Sequence, residues 1–149
     1  MAEKARALGP YSMAFPRIDG LRALELGGRG TALQRELNAL VLAGAKTATA
    51  GHVAADYATQ DEAVETVGEE QYLLDADRSP IARVRFVRVD VVPFDDVTWE
   101  FAQAEGEGFV DIDDWRAAHR RYWQRECGVE VTGLDLIACL WFEVVEVLA

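Results

Sequence analysis

The chain has 149 residues, half of them apolar and 28% charged, with 26 acidic against 15 basic side chains and a formal net charge of -11. A chain of this size buries on the order of 70% of its unfolded surface, enough for one real core, and its composition is far from that of disordered chains. The charge excludes tight nonspecific binding to a long nucleic-acid duplex, because the average surface repels a polyanion. A local pocket for one nucleotide stays compatible, since charges more than about 8 to 10 Å apart are largely screened at physiological salt.

Gly9, Pro10 and Ser12 interrupt the apolar stretch from Ala7 to Phe15, so no signal-peptide core is read there, and no later segment approaches the ~20 apolar residues of a membrane span. The expected location is the cytoplasm. Cys127 and Cys139 are the only cysteines and His52 and His119 the only histidines. None has zinc-ligand spacing, so reduced thiols, no metal and no cofactor are expected.

The first strongly patterned segment follows Gly27, Gly28 and Gly30. Leu33, Leu37, Leu40 and Val41 recur at helical spacing, Thr31 and Gln34 have the arrangement of a capping box, and Gly44 is a natural stop. The next residues, Gly44 to Gly51, read as a loop of small side chains carrying Lys46, Thr47 and Thr49. A short helix is predicted around Val53 to Tyr57, then an acidic loop. Gln71 to Asp75 and Ile81 to Val92 read as a hairpin around an Asp77-Arg78-Ser79-Pro80 turn. Val84 and Phe86 share one parity and Val87, Val89 and Val91 the other, which predicts a bulge near Phe86 or burial on both faces. Pro93 ends that strand, and Asp95 or Asp96 can cap a short helix carrying Val97, Trp99, Phe101 and Ala102. Asp111 can cap the next helix, which places Trp115, Ala118, His119 and Tyr122 on one face and closes at Gly128. Leu134 to Leu148 reads as a final, central strand.

Three groups can carry chemistry. Lys46 lies three residues before Thr49, close enough for its amine to reach the hydroxyl if the loop curls back. The same residues also fit a helix-terminal lysine compensating the macrodipole and threonines capping a turn. Glu105 and Glu107 alternate with glycines, which permits either an inward carboxylate or a solvated acidic turn. His119, Trp115 and Tyr57 are either packed aromatics or members of a base-stacking pocket.

The ordered segments Ala43-Gly44-Ala45-Lys46-Thr47-Ala48-Thr49-Ala50, Val92-Pro93-Phe94-Asp95-Asp96-Val97, Phe101-Ala102-Gln103-Ala104-Glu105-Gly106-Glu107-Gly108 and Trp115-Arg116 with His119 resemble the bacterial ASCH family. The likeness extends to Trp141-Phe142-Glu143-Val144. It implies an α+β, PUA-like fold, a small β-barrel with flanking helices over residues 31 to 149, and it leaves residues 1 to 30 as an amino-terminal extension packed on that domain. It also implies a cleft beside the first helix and a role in RNA or modified-nucleoside chemistry. Some members are amidohydrolases of N4-acetylcytidine that use a lysine, a threonine three residues later and a distant glutamate. Lys46 and Thr49 match the first two; Glu105 is the best match for the third, with Glu107 as its rival. These amidohydrolases are shorter and lack the Glu-Gly-Glu-Gly and Trp-Arg-x-x-His elements.

The resemblance therefore implies hydrolysis of an N4-acylcytidine-type amide, with Thr49 as nucleophile, Lys46 as base and Glu105 orienting the lysine, while Thr47, Tyr57, Glu107, Trp115 and His119 bind substrate. The expected partner is a modified nucleoside or a short RNA, not a membrane or a long duplex; the sequence leaves the oligomeric state open. Two other readings use the same cleft: a ribonuclease in which Lys46 stabilises phosphate charge, and a noncatalytic module for a nucleotide or single-stranded RNA.

Overall fold

The computed structural model describes residues 15–148, so the first fourteen residues of the expected extension lie outside the described residues. The chain runs β1 (Arg17–Ile18), β2 (Leu21–Leu24), α1 (Ala32–Leu42), β3 (Ala48–His52), a π-helical turn (Val53–Tyr57) and a 3-10 turn (Ala58–Gln60). It continues through β4 (Glu70–Leu74), β5 (Pro80–Pro93), a 3-10 turn (Phe94–Asp96), α2 (Trp99–Ala104), α3 (Ile112–Cys127) and β6 (Leu136–Val147). The strands form one sheet in the order β1-β2-β4-β5-β6-β3. The α+β class holds, but β1 and β3 are edges, so the expected barrel is an open sheet among the described residues.

β6 explains the layering. Its residues alternate sides as any strand must, and both sides are covered. Ala138, Leu140 and Phe142 enter a core with Leu37 and Val41 of α1 and Leu73, Val84 and Phe86 of β4 and β5. Ile137 and Cys139 enter a second core with Phe101 of α2 and Trp115 and Trp123 of α3. Residues 137–142, buried on both faces or nearly so, are accordingly an apolar run, and polar residues return only at Glu143 and Glu146, where the strand reaches the surface. β5 changes allegiance through a bulge: Phe86 pairs with Phe142 and Arg88 with Trp141, so Val87 is left over between them and is 47% exposed.

The caps largely follow the sequence. The Thr31 hydroxyl accepts the Gln34 amide at 3.0 Å, although the Gln34 side chain reaches Gly30 rather than Thr31 to complete the cap. Asp111 accepts the Asp114 amide at 2.8 Å, and Gly128 ends α3 at φ 67°. The cap of α2 differs from expectation: Thr98, not Asp95 or Asp96, accepts the Phe101 amide. The two aspartates lie in the 3-10 turn that leaves β5, and Asp95 packs so closely on Gly133 that a Cβ there would sit 2.1 Å from its carboxylate.

Two further segments join this sheet. Residues 48 to 52, expected as loop, pair antiparallel with β6 from Ala48↔Trp141 to His52↔Ile137. Residues 17 to 24 supply β1 and β2, and β2 runs parallel to β4, so the described part of the expected extension is built into the sheet. Arg22 fixes this edge with paired hydrogen bonds to Glu69 at 2.8 and 2.9 Å. On the other side of β4, Gln34 and Asn38 of α1 donate to the Leu74 carbonyl.

Phe86 is fully buried beside the bulge and meets Phe142 edge-on. Phe86→Ala is expected to lower stability by about 3 to 5 kcal/mol through a lost transfer term and a cavity. Urea unfolding should show this as a lower midpoint at unchanged slope.

Candidate functional site

The site begins where two helices end. After α1, Gly44 adopts φ 80° and the amides of Ala45 and Lys46 both return to the Leu40 carbonyl at 2.9 and 3.1 Å. This turn sends the Lys46 side chain inward, where the residue is 1% exposed. The end of α2 docks against it, as the Ala104 carbonyl accepts both the backbone amide and the hydroxyl of Thr47, at 2.9 and 3.1 Å. Gly106 makes the close approach possible: its φ is +69°, and a Cβ there would lie 2.0 Å from the Ala45 carbonyl oxygen. No side chain fits that space.

Consequently the two glutamates beside Gly106 meet the lysine from about sixty positions away in sequence. Lys46 Nζ donates to Glu105 Oε2 at 3.2 Å and to Glu107 Oε2 at 2.6 Å. The other oxygen of Glu105 accepts Trp115 Nε1 at 2.5 Å and faces His119 Nε2 at 3.2 Å. One helical turn apart on α3, the Trp115 and His119 rings stack with centroids 4.0 Å apart. His119 Nδ1 faces the Trp115 carbonyl at 2.9 Å. Both ring nitrogens thus face oxygen acceptors.

These surroundings separate the two carboxylates. Burial alone would raise Glu105, but the charges of Lys46 and His119 and the hydrogen bonds from His119 and Trp115 hold it down, to about 2. Burial raises Glu107, which is only partly offset by Lys46 and is reinforced by the neighbouring charge of Glu105. Glu105 is 2% exposed, whereas the Glu107 side chain is 19% exposed. One carboxylate is sealed and ionised; the other borders open space and holds protons more readily.

That space is a cavity of about 1020 Å³, at the upper end of the range for small-molecule sites. Lys46, Thr49, Tyr57, Glu105, Glu107 and His119 all line it. Six of the eight expected site residues therefore converge. Thr49 lies on β3 opposite Leu140, half-buried, and no hydrogen bond reaches its hydroxyl among the described residues. Tyr57 is a wall rather than a free stacking platform: its ring packs on Gly51, where a Cβ would lie 2.7 Å from it, and its hydroxyl donates to buried Glu65 at 2.7 Å.

The other two are placed differently. Thr47 is exposed and bound to Ala104, outside the cavity lining. Trp115 is fully buried behind Glu105, so its indole orients a carboxylate and has no face for a base. Sequence reasoning missed Glu65 and Asp56, which also line the cavity. Glu65 falls in the acidic loop, which has no periodicity to mark it. Asp56 accepts the His52 amide and the Trp123 indole, and burial raises its pKa. Among the described residues no group of three or more His, Cys, Asp or Glu is arranged to hold a metal, and no helix is long and apolar enough to cross a membrane.

Gly106→Ala is expected to destabilise by more than about 2 kcal/mol, because backbone must move and a left-handed φ is imposed on alanine. A thermal melt measures it. Glu105 also gives a pH dependence with a definite sign. Its pKa falls from 4.5 to about 2 on folding, so its contribution is complete above about 4.5 and is lost as pH drops toward about 2. The stability difference between wild type and Glu105→Gln should shrink across that window in urea titrations at stepped pH.

A family model described as the ASCH domain matches residues 25–146. The crystal structure of protein EF3133 from Enterococcus faecalis is similar at a TM-score of 0.77 and 28% identity, covering 88% of this chain and 80% of that one. The crystal structure of an ASCH domain from Lactobacillus crispatus is similar at a TM-score of 0.66 and 29% identity, covering 76% and 72%. No curated protein matches the chain.

Proposed function

The chain belongs to the ASCH domain family, which supports a nucleic-acid-related role, and from that premise we propose that its cavity hydrolyses an N4-acylcytidine-type amide on a modified nucleoside. The observation that carries this reading is the convergence of Lys46, Glu105 and Glu107 into one buried ion cluster on the wall of a cavity that Thr49 also lines. Buried charge of this kind is costly to assemble, and clusters with separated proton affinities are characteristic of sites that move protons.

In this reading Thr49 is the nucleophile, with a hydroxyl not committed to any described partner. Its attack on the acyl carbonyl breaks the amide bond, the hydroxyl proton is delivered through Lys46 to the departing nucleoside amine, and an ester is left on Oγ. Lys46 and Glu105 match the lysine and glutamate expected from the resemblance. Nζ lies between two carboxylates, so it can give a proton to Glu107, 2.6 Å away, and then take the Thr49 hydroxyl proton as its base. His119 and Trp115 hold Glu105, and Tyr57 bounds the nucleoside.

The charge around the cavity favours a neutral nucleoside over an RNA chain. Glu25, Asp56, Glu65, Glu105, Glu107 and Glu126 line it against Lys46, Arg78, Arg121 and Arg125. The one lysine that would meet a phosphate in a ribonuclease is already bound by two carboxylates.

The test is chromatographic detection of cytidine released from N4-acetylcytidine by wild type, Thr49→Ala and Lys46→Ala. Turnover is expected for wild type, with kcat/KM reduced at least about 10²-fold in both variants. Thr49→Ala should melt within a few degrees of wild type, so its loss reports chemistry. Absence of cytidine release by wild type would discard the hydrolase reading.

A further inference from the structure

The bulge in β5 leaves the second half of that strand without a neighbour on one side. β4 pairs with β5 only from Pro80 to Arg85, and the last bonds on that side join Phe86 to Gly68 and Glu69. From Val87 to Val91, β6 is the only strand beside β5 among the described residues, and Val87 and Val91 are exposed. An unpaired strand edge is a template for another strand.

The register against β6 fixes which backbone groups face outward. The Phe94 amide donates across to the Asp135 carbonyl at 2.8 Å, continuing the pairing of Pro93 with Leu136. Bonded positions alternate along an antiparallel pair, so Arg88 and Asp90 turn their backbone groups to β6, while Val89 and Val91 turn theirs to the open side. Side chains alternate as well. Arg88 and Asp90 share one face, where their solvent-accessible side chains form an ion pair at 2.8 Å, and Val89 packs against the first core on the other.

This edge, Val87-Arg88-Val89-Asp90-Val91, is complementary to itself when reversed. In an antiparallel pair of identical strands centred on Val89, Arg88 of each copy lies opposite Asp90 of the other, and Val87 lies opposite Val91. The two Val89 residues meet with their outward N–H and C=O groups, which can exchange hydrogen bonds across the axis. Centring the pair on Arg88 or on Asp90 opposes like charges, and centring it between residues sets outward backbone groups against inward ones. Backbone and charge therefore select the same register. The ladder stops after Val91, because Val92 would lie opposite Phe86, whose free side Glu69 already fills.

We propose that this edge binds a second copy of the chain, forming a two-fold symmetric, antiparallel β5–β5 dimer centred on Val89. The contact is isologous, so each charge pair occurs twice and the assembly closes at two copies. An interface of this size belongs with the small, readily reversible ones.

The test is sedimentation velocity at low salt over about 10 µM to 1 mM protein, a range suited to a weak interface. Wild type should pass from monomer to dimer as concentration rises. Arg88→Asp and Asp90→Arg each set like charges opposite one another twice, and each should raise the dimer dissociation constant at least about tenfold. An equimolar mixture of these two variants should recover association as a heterodimer, and the Arg88→Asp/Asp90→Arg double variant should recover it alone. The mixed chains lack the ion pair within each copy, so their recovery reports the contact between copies. All the substitutions lie on solvent-accessible side chains, and circular dichroism melts verify folding. Wild type that stays monomeric throughout would overturn the proposal, as would single variants that dimerise like wild type or a mixture that associates no better than its components.

Discussion

Much of the molecule is organised by the need to bury one ammonium group. A lysine removed from water loses hydration worth several kcal/mol, and only well-placed acceptors offset it. Lys46 receives two, Glu105 and Glu107, and each creates a further demand. Glu105 is itself buried and must be satisfied, which draws in the Trp115 indole and the His119 ring. Those two side chains have to share a helical face, which fixes the rotation of α3 about its axis. The two glutamates have to flank the lysine backbone, which requires glycine between them. A chain of local requirements thus runs from one charge to the placement of two helices.

The same arrangement gives neighbouring carboxylates different characters without any change of residue type. The difference lies in partners and access: three donors and no solvent for Glu105, one donor and a cavity wall for Glu107. Proton affinity follows these surroundings, as it does wherever desolvation and charge compete. An Asp or Gln at either position would be close in shape and would not reproduce the pair.

Where a signal in the sequence was local, it could be read. The Thr31 and Asp111 caps, the bulge beside Phe86, the stops at Gly44 and Gly128 and the interior position of β6 all rest on interactions within a few residues or on simple periodicity. What escaped was long-range. Ala48–His52 is a run of small residues and one histidine, with no alternation to mark a strand, and its conformation comes from pairing with β6 almost ninety positions later. The two-residue β1 and four-residue β2 are too short for any pattern and are held by β4 and by Arg22. At the site, Lys46, Thr49 and Glu105 stood out through resemblance. That Trp115 would serve the carboxylate instead of a base could not be seen, because burial is a property of the packed whole.

The position of β6 carries a consequence for how the protein comes into being. This strand follows every other described element in sequence, yet it lies between β5 and β3 and supplies apolar side chains to both cores. Until it arrives, β3 has no partner strand and α1 and α3 have no common wall to pack on. During synthesis, then, the β4–β5 hairpin can form early from its own contacts, while the segment bearing Thr49 waits for residues made almost ninety positions later. Such non-local pairing makes folding slow and nearly all-or-none. A ribosome-bound chain stopped short of β6 has every chemically active side chain of the site and no means of bringing them together.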